Sequence, residues 1–252
     1  MPALAHAEPE SGEHTLILAV NKMLPWITEE DGVYGGAYTE IARELARRAG
    51  LTLQIKSCPL KRCQFMLEQG TADIMIGLRE TPRRDTFLYF LQTPYRERSA
   101  DRVFYVRKDG NVTINDYADI APLRIGTKWG AEYLRRFDRD WSVQRDPAKD
   151  MEANFRKLVL GRIDAVLIPE DQGDALVSAL HMDGQLEKAA FRMPSDGQPR
   201  SIAVSRASVS PERLAALETA MHDMHKAGAL TAIYKRYYYD AYHIPQGTGL
   251  VK

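Results

Sequence analysis

Apolar runs alternate with amphipathic stretches along most of this chain. Thr15–Val20 is a continuous apolar run, which predicts a buried strand, and Gly36–Gly50 has apolar residues at helical spacing. Leu51–Ile55 then alternates apolar and polar residues like a strand, and Pro59–Gly70 frames another helix. Near the C-terminus, Ser210–Glu212 begins a helix with a hydroxyl cap and a proline in the first turn. The alternation predicts an α/β fold dominated by parallel connections.

One sequence pattern, a helix end followed by a buried strand and a loop, occurs twice in the chain. Gln69–Arg84 reads QGTADIMIGLRETPRR: a helix ends at Gly70, Ile74–Ile76 predicts a buried strand, and Gly77 opens a basic loop. Leu160–Glu170, LGRIDAVLIPE, is a weaker copy about 90 residues later. Side chains that follow strand ends form the sites of α/β domains. The two copies therefore predict two similar lobes, each offering a strand-end loop to a site between them.

Composition and charge narrow the class of protein. With 252 residues, 44% hydrophobic and 27% charged, the chain has the composition of a water-soluble globular protein. Lys+Arg and Asp+Glu both total 34, so no overall field favours nucleic acid or a membrane surface. The sequence shows no metal-spaced histidine cluster and no catalytic triad pattern. We expect a monomeric, non-enzymatic protein without cofactor or metal.

The first residues indicate export. Pro2–Ala7 ends in Ala5-His6-Ala7, the small-x-small pattern of a signal-peptidase site, and a polar segment follows. We interpret residues 1–14 as a signal-peptide remnant with an added Met1 and a flexible start. An ordinary alanine-rich tail is the alternative.

The two cysteines, Cys58 and Cys63, fit the same compartment. They lie five residues apart in SCPLKRC, which suits one local disulfide in an oxidising environment. Closing so short a loop stabilises the fold by about 2 kcal/mol in the chain-entropy model. Two buried free thiols are the alternative.

Five stretches in a consistent order resemble the bacterial extracytoplasmic solute-binding proteins of family 3, the polar amino acid type: Gly35–Leu45, Gln69–Arg84, Phe90–Tyr95, Gly161–Val166 and Gly228–Tyr237. The resemblance implies a type II periplasmic binding protein fold, with lobe 1 formed by 15–106 and 201–252 and lobe 2 by 107–200. It implies hinge strands near Arg102–Lys108 and Pro199–Ser205, which close the lobes on a small ligand. A periplasmic location and an ABC permease or a membrane sensor as partner follow from it.

Arg84 is the predicted ligand grip. It matches the position of the arginine in the family's T-x-x-R segment, and that arginine holds the ligand carboxylate. A planar guanidinium can bind a carboxylate through two parallel hydrogen bonds. Gly77 lies in the same strand-end loop, and Thr81 adds either a ligand hydroxyl contact or a helix cap. A surface ion pair is the alternative role for Arg84.

A second predicted contact comes from lobe 2. Lys128, Trp129 and Gly130 precede a predicted helix that runs to about Phe137, and the free N–H groups of a helix start can bind an anion. Gly130 and Ala131 replace hydroxyl residues common in the family, so this loop offers backbone donors.

Several departures from the family pattern change the expected ligand. Arg79 stands where amino acid binders carry Ser or Thr, and Leu60 stands where an aromatic commonly covers the ligand. The acid that holds a ligand's amino group aligns with Pro169, with Glu170 as its nearest substitute. Trp26 faces either the cleft or the core. A second cation without an amine partner favours an anionic solute, because an unpaired arginine in a closed cleft is costly.

Two alternatives remain. Cyclohexadienyl dehydratases are similar in fold and place an acid in the cleft, a role for which Glu170 is the candidate. A ligand-sensing module that docks on a membrane partner is the other alternative, with the C-terminal tyrosines either as docking face or packed on lobe 1.

Overall fold

The computed structural model describes residues 14–195 and 197–244. Residues 1–13 of the predicted signal-peptide remnant and the residues of predicted lobe 1 after 244 lie outside these ranges. Within them, no helix is both long and apolar enough to span a bilayer.

The described residues contain strands in the predicted alternation with helices. The strands are β1 Thr15–Val20, β2 Thr28–Glu30, β3 Val33–Gly35, β4 Thr52–Ser57, β5 Ile74–Met75, β6 Leu88–Phe90, β7 Arg102–Arg107, β8 Arg124–Lys128, β9 Gln144–Ala148, β10 Ala165–Pro169, β11 Leu186–Met193 and β12 Ala203–Ser205. The α-helices are α1 Ala37–Arg48, α2 Leu60–Glu68, α3 Pro82–Asp85, α4 Arg135–Arg139, α5 Met151–Val159, α6 Glu170–Ala179, α7 Pro211–Lys226 and α8 Ala229–Tyr234. A 3-10 turn at Ala118–Ile120 and a π-helical turn at Lys235–Tyr239 complete them.

Two five-stranded sheets repeat one topology. The first has the order β4-β1-β5-β12-β6 and the second has β9-β8-β10-β7-β11. The first three strands of each sheet are parallel, and β12 or β7 is antiparallel to both of its neighbours. The two copies of the sequence pattern supply β5 and β10, the central strands of the two sheets. The prediction of two similar α/β lobes is confirmed.

The described chain crosses between the lobes twice, through residues 91–101 and through residues 194–195 and 197–202, which we call the crossing segments. They pair antiparallel where Arg200 N donates to Arg96 O at 2.8 Å and Tyr95 N donates to Arg200 O at 2.9 Å. The strand that follows each crossing, β7 or β12, enters its new sheet between two strands. All of β7 pairs within the second sheet, so the predicted lobe boundary after residue 106 falls inside this strand.

Helix α7 begins where the sequence predicts, with a serine cap and a proline in its first turn. Ser210 accepts a hydrogen bond from Arg213 N, and Pro211 occupies the first turn of α7. Leu217, Met221 and Met224 on one face of α7 are buried in the core of the first lobe. The C-terminal tyrosines also pack on this lobe, with Tyr234 and Tyr238 fully buried, so the packing alternative is the one observed.

Cys58 and Cys63 form a disulfide with their Cα atoms 5.4 Å apart. Pro59 between them is the N-cap of α2, and Cys63 lies buried on that helix. The disulfide therefore joins the end of β4 to the first turns of α2, as the spacing predicts.

Candidate functional site

A cavity of about 180 Å³ lies between the lobes where β5 and β10 end. Ile76, Gly77 and Leu78 line it from the first lobe, and Ile168 and Pro169 line it from the second. Other elements complete its wall, with side chains from the loop after β1, the first crossing segment and the loop after β8. The cavity is where the repeated pattern predicts a site.

Gly77 is required by the backbone at the end of β5. Its φ is +101°, a conformation that side-chain-bearing residues rarely adopt. An added Cβ would also lie 2.8 Å from Met23 Cε. The glycine therefore lets the chain turn tightly into the loop that carries Arg79 and Arg84.

Arg84 is buried, with only 4% of its surface exposed. Its Nη1 donates to Arg79 O at 2.7 Å, and its Nη2 lies 3.1 Å from Glu132 Oε1 of the second lobe. Its buried Nε has no hydrogen-bond partner. Burial lowers the pKa of Arg84, and neighbouring arginines act in the same direction, whereas Glu132 raises it. Arg84 is thus a desolvated cation in the cavity wall, and an acid of this chain occupies part of its guanidinium.

Thr81 caps the short helix α3, on which Arg84 lies. It is the N-cap of α3, with its Oγ1 accepting from Arg84 N at 3.4 Å, and it does not line the cavity. Of the two roles predicted for Thr81, the capping role is observed. The alternative of a surface ion pair for Arg84 is excluded by its burial.

Arg79 and Lys128 also line the cavity, and both reach across the cleft. Arg79 Nη1 donates to Tyr133 O of the second lobe. Lys128 Nζ donates to Lys22 O of the first lobe at 3.2 Å. Burial lowers the pKa of the Lys128 ammonium to about 8, although Glu152 and Asp150 oppose this shift.

An ion pair that the sequence did not indicate lies at the deep end of the cavity. Arg96 of the first crossing segment pairs with Asp171 of α6, and each is 5% exposed. Asp171 O also accepts from Tyr238 Oη at 3.0 Å, and the next residue, Gln172, donates to Leu24 O at 2.7 Å. These contacts hold the second lobe against the first.

Trp26 belongs to both the core and the cavity. It is 3% exposed, stacks on Tyr38 and Tyr238 at 5.3 and 4.5 Å, and still lines the cavity. The Arg96 guanidinium lies 5.4 Å from its ring centroid, within cation–π range. Trp26 therefore forms an aromatic floor beneath the Arg96–Asp171 pair.

Glu170, the predicted substitute acid, does not line this cavity. Its carboxylate pairs with Lys188 at 2.8 Å and Arg192 at 2.9 Å, on the strand β11. Burial would raise the pKa of Glu170, but hydrogen bonds from these two cations outweigh that and lower it. The physical reason is that α6 begins at Glu170, so successive side chains point about 100° apart and Asp171 faces the cavity instead.

The helix predicted to begin after Gly130 begins later in the structure. β8 continues through Lys128, and α4 begins only at Arg135. Backbone donors of the intervening loop are engaged, with Trp129 N bonded to Ala148 O and Ala131 N to Lys128 O. Trp129 and Gly130 line a second cavity of about 830 Å³ between the lobes. The loop therefore supplies the Lys128 side chain to the first cavity rather than a helix N-terminus.

The first cavity carries an excess of positive charge. Among the described residues that line it, six are basic and two are acidic: Arg79, Arg84, Arg96, Arg102, Arg200 and Lys128, against Glu132 and Asp171. The predicted site residues include three of the six cations and neither acid. The other five residues reach the cavity through long-range packing: Arg96, Arg102, Arg200, Glu132 and Asp171. A cleft with such a lining raises the local concentration of negatively charged ligands.

Comparisons with known proteins place this architecture. The sequence model of the bacterial extracellular solute-binding proteins, family 3, matches residues 16–240. Among solved structures, an ancestral arginine-binding protein bound to arginine aligns with a TM-score of 0.76 and 22% identity, over 89% of this chain and 98% of that one. The amino acid ABC transporter substrate-binding protein AbpA from Streptococcus pneumoniae, bound to L-arginine, gives 0.78 and 19%, over 91% and 96%. A mutant of ArgBP from T. maritima gives 0.77 and 20%, over 89% and 95%. A search of curated protein sequences finds no significant match.

Proposed function

The chain belongs to the bacterial extracellular solute-binding proteins, family 3, and from this membership we propose that it captures a small anionic, carboxylate-bearing solute between its lobes. Arg84 takes a carboxylate of the solute through its planar fork, and Arg79 and Lys128 provide further positive charge. The lobes close on the solute by bending at the crossing segments. Capture occurs outside the cytoplasm, for delivery to an ABC permease or for signalling through a membrane sensor.

The observation that carries the proposal is the six-to-two excess of basic over acidic residues in the cavity lining. Arg84 is buried in this lining with its Nε lacking a hydrogen-bond partner, so it is suited to a ligand that brings a carboxylate. Two of the solved structures named above are bound to arginine, which is a cation. An arginine ligand would add positive charge to this lining, which is why we propose a different solute class here.

A thermal-shift screen tests the proposal. We expect dicarboxylates and acidic amino acids to raise the melting temperature, with about 2.7 kcal/mol of stabilisation at a hundredfold excess over Kd. Arginine and lysine serve as the matched cationic set. If only the cationic amino acids raise the melting temperature, the solute class proposed here is wrong.

Binding of the anion is expected to weaken with rising pH. The Lys128 pKa of about 8 lies below its ordinary value of 10.5, so the side chain loses its charge between pH 7 and 9.5 while carboxylates stay ionised. Loss of one charge-assisted contact lowers affinity about tenfold. Calorimetric titration at the two pH values measures the change, and Lys128→Gln should bind with the same affinity at both. A pH-independent affinity in the wild-type protein would contradict the role of Lys128.

The lowered pKa of Lys128 also affects the free energy of unfolding, which changes with pH in the opposite direction to the anion affinity. Because the folded-state pKa is depressed, the unfolded chain binds more protons between pH 8 and 10.5. The contribution of Lys128 to the free energy of unfolding therefore rises with pH across this window, while anion affinity falls.

Glu132→Gln is expected to increase affinity for the anionic solute. Glu132 Oε1 lies 3.1 Å from Arg84 Nη2, so a ligand carboxylate that takes this position has to displace it. Removing its charge eliminates this internal competitor and raises affinity about tenfold. Calorimetry with Glu187→Gln, an exposed acid on β11, is the control. An affinity lower than wild type would instead show that Glu132 contacts the ligand favourably.

The dehydratase alternative depended on Glu170 as a general acid in the cleft. Its carboxylate is held by Lys188 and Arg192, outside the first cavity and with a lowered pKa, which is unsuited to proton donation near neutral pH. Incubation with prephenate or arogenate, followed by measurement of released CO2, tests any remaining turnover.

A further inference from the structure

The second cavity, of about 830 Å³, lies beside the first between the lobes. Asn21 and Leu60 line both cavities, so the two spaces adjoin at these side chains. Asn21 is fixed there, since its Nδ2 donates to Cys58 O at 3.3 Å. The boundary between the two cavities thus has one polar and one aliphatic side chain, and neither carries charge.

Both lobes contribute to the second cavity. Lys22 and Lys61 lie on the first lobe, whereas Trp129, Gly130 and Lys149 lie on the second. The lobes approach closely here, because a Cβ on Gly130 would lie 3.0 Å from Lys61 Cγ. Gly130 also has a φ of +73°, which residues with a side chain rarely adopt. The backbone conformation and the close approach of Lys61 therefore both favour glycine here. Both lobes therefore line the second cavity, as they line the first.

The chemistry of the second cavity differs from that of the first. Trp129 is 71% exposed, which leaves a large aromatic surface available for contact along the wall. Three lysines face two acids, and one of these, Asp150, is committed to capping α5 by accepting from Ala153 N at 2.9 Å. Lys22 lies 3.6 Å from Glu152. Lys61 and Lys149 are the lysines of this cavity best suited to a second anionic group.

We propose that the solute is elongated and carries two anionic ends. One carboxylate binds Arg84 in the first cavity, an apolar chain passes Leu60 and lies along Trp129, and the second anionic group binds Lys61 and Lys149. This inference rests on the proposed function and adds the solute's length and second charge. The chemical class is a linear α,ω-dicarboxylate or a similar acid with two separated anionic ends.

Calorimetric titration of the full chain with the linear dicarboxylates from succinate to sebacate tests the inference. We expect the longer members to bind about tenfold more tightly than succinate, the factor for one added charge-assisted contact. The double variant Lys61→Gln, Lys149→Gln should lose this gain, whereas Lys108→Gln, Lys226→Gln, which removes two exposed charges elsewhere, should keep it.

The outcomes separate the two proposals. Succinate binding that Arg84→Ala abolishes, with no gain for longer members, overturns the elongated solute and leaves the proposed function standing. A gain that persists in the Lys61, Lys149 double variant also overturns it, because the chain then binds without the second charge contact. If no dicarboxylate binds, the proposed function is wrong and the inference falls with it.

Discussion

Replacing Arg84 by alanine lowers the affinity for a carboxylate solute by at least about 100-fold. Arg84 is 4% exposed and lies at the first cavity. Hydrogen bonds to a charged group contribute about 1.5–3 kcal/mol each, so loss of a bidentate grip of two such bonds costs about 3 kcal/mol or more. Calorimetric titration with succinate or glutarate measures the loss.

Arg83→Ala is the matched control for this change. Arg83 is the adjacent residue on α3 but is exposed, so its removal alters the net charge equally without altering the cavity wall. Arg84→Lys keeps the charge and loses the fork, and an intermediate affinity is expected. Equal affinities of wild type and Arg84→Ala would contradict the assignment of Arg84 as ligand grip.

Asp171→Asn is expected to destabilise the protein by about 3 kcal/mol or more. The substitution leaves the Arg96 guanidinium buried without its acid, and breaking a buried ion pair by removing one partner costs about 3–5 kcal/mol. Urea unfolding followed by fluorescence measures the change in the free energy of unfolding.

The neighbouring residue supplies the control. Glu170→Gln removes an acid whose partners, Lys188 and Arg192, are partly solvent-exposed, and such pairs contribute about 1 kcal/mol or less. Adding Arg96→Met to Asp171→Asn should recover part of the stability, because no charge is then buried alone. Equal losses in the two single variants would show that burial does not distinguish the two pairs.

The fold was predictable where local patterns and tertiary packing agree. The runs that became β1, β5 and β10 are buried on both faces, and hydrophobicity alone identifies them. β9 and β11 escaped prediction because they lie at the edges of the second sheet, where QRDPA and LEKAAFRM need few apolar residues. Pro147 in β9 also argues against a strand by sequence, although an edge tolerates it.

The candidate site was predictable to the extent that one segment carries it. Gly77, Arg79 and Arg84 lie within one short segment that runs from the end of β5 into α3, so their proximity follows from the sequence. Glu132 and Asp171 reach the cavity only because the second lobe packs over that loop, and no local signal marks them. Trp26 takes both of its predicted positions, because its buried ring lies in the core of the first lobe and also lines the cavity.

The placement of β12 has a consequence for the order in which the lobes are completed as the chain is synthesised. The strands of the second sheet all lie within residues 102–193, a continuous stretch, whereas the first sheet needs residues 203–205 between β5 and β6. β6 pairs with β12 alone among the described strands. The lobe that begins first in the sequence is therefore the last to be finished, and β6 has to wait for the C-terminal part of the chain before it can join a sheet.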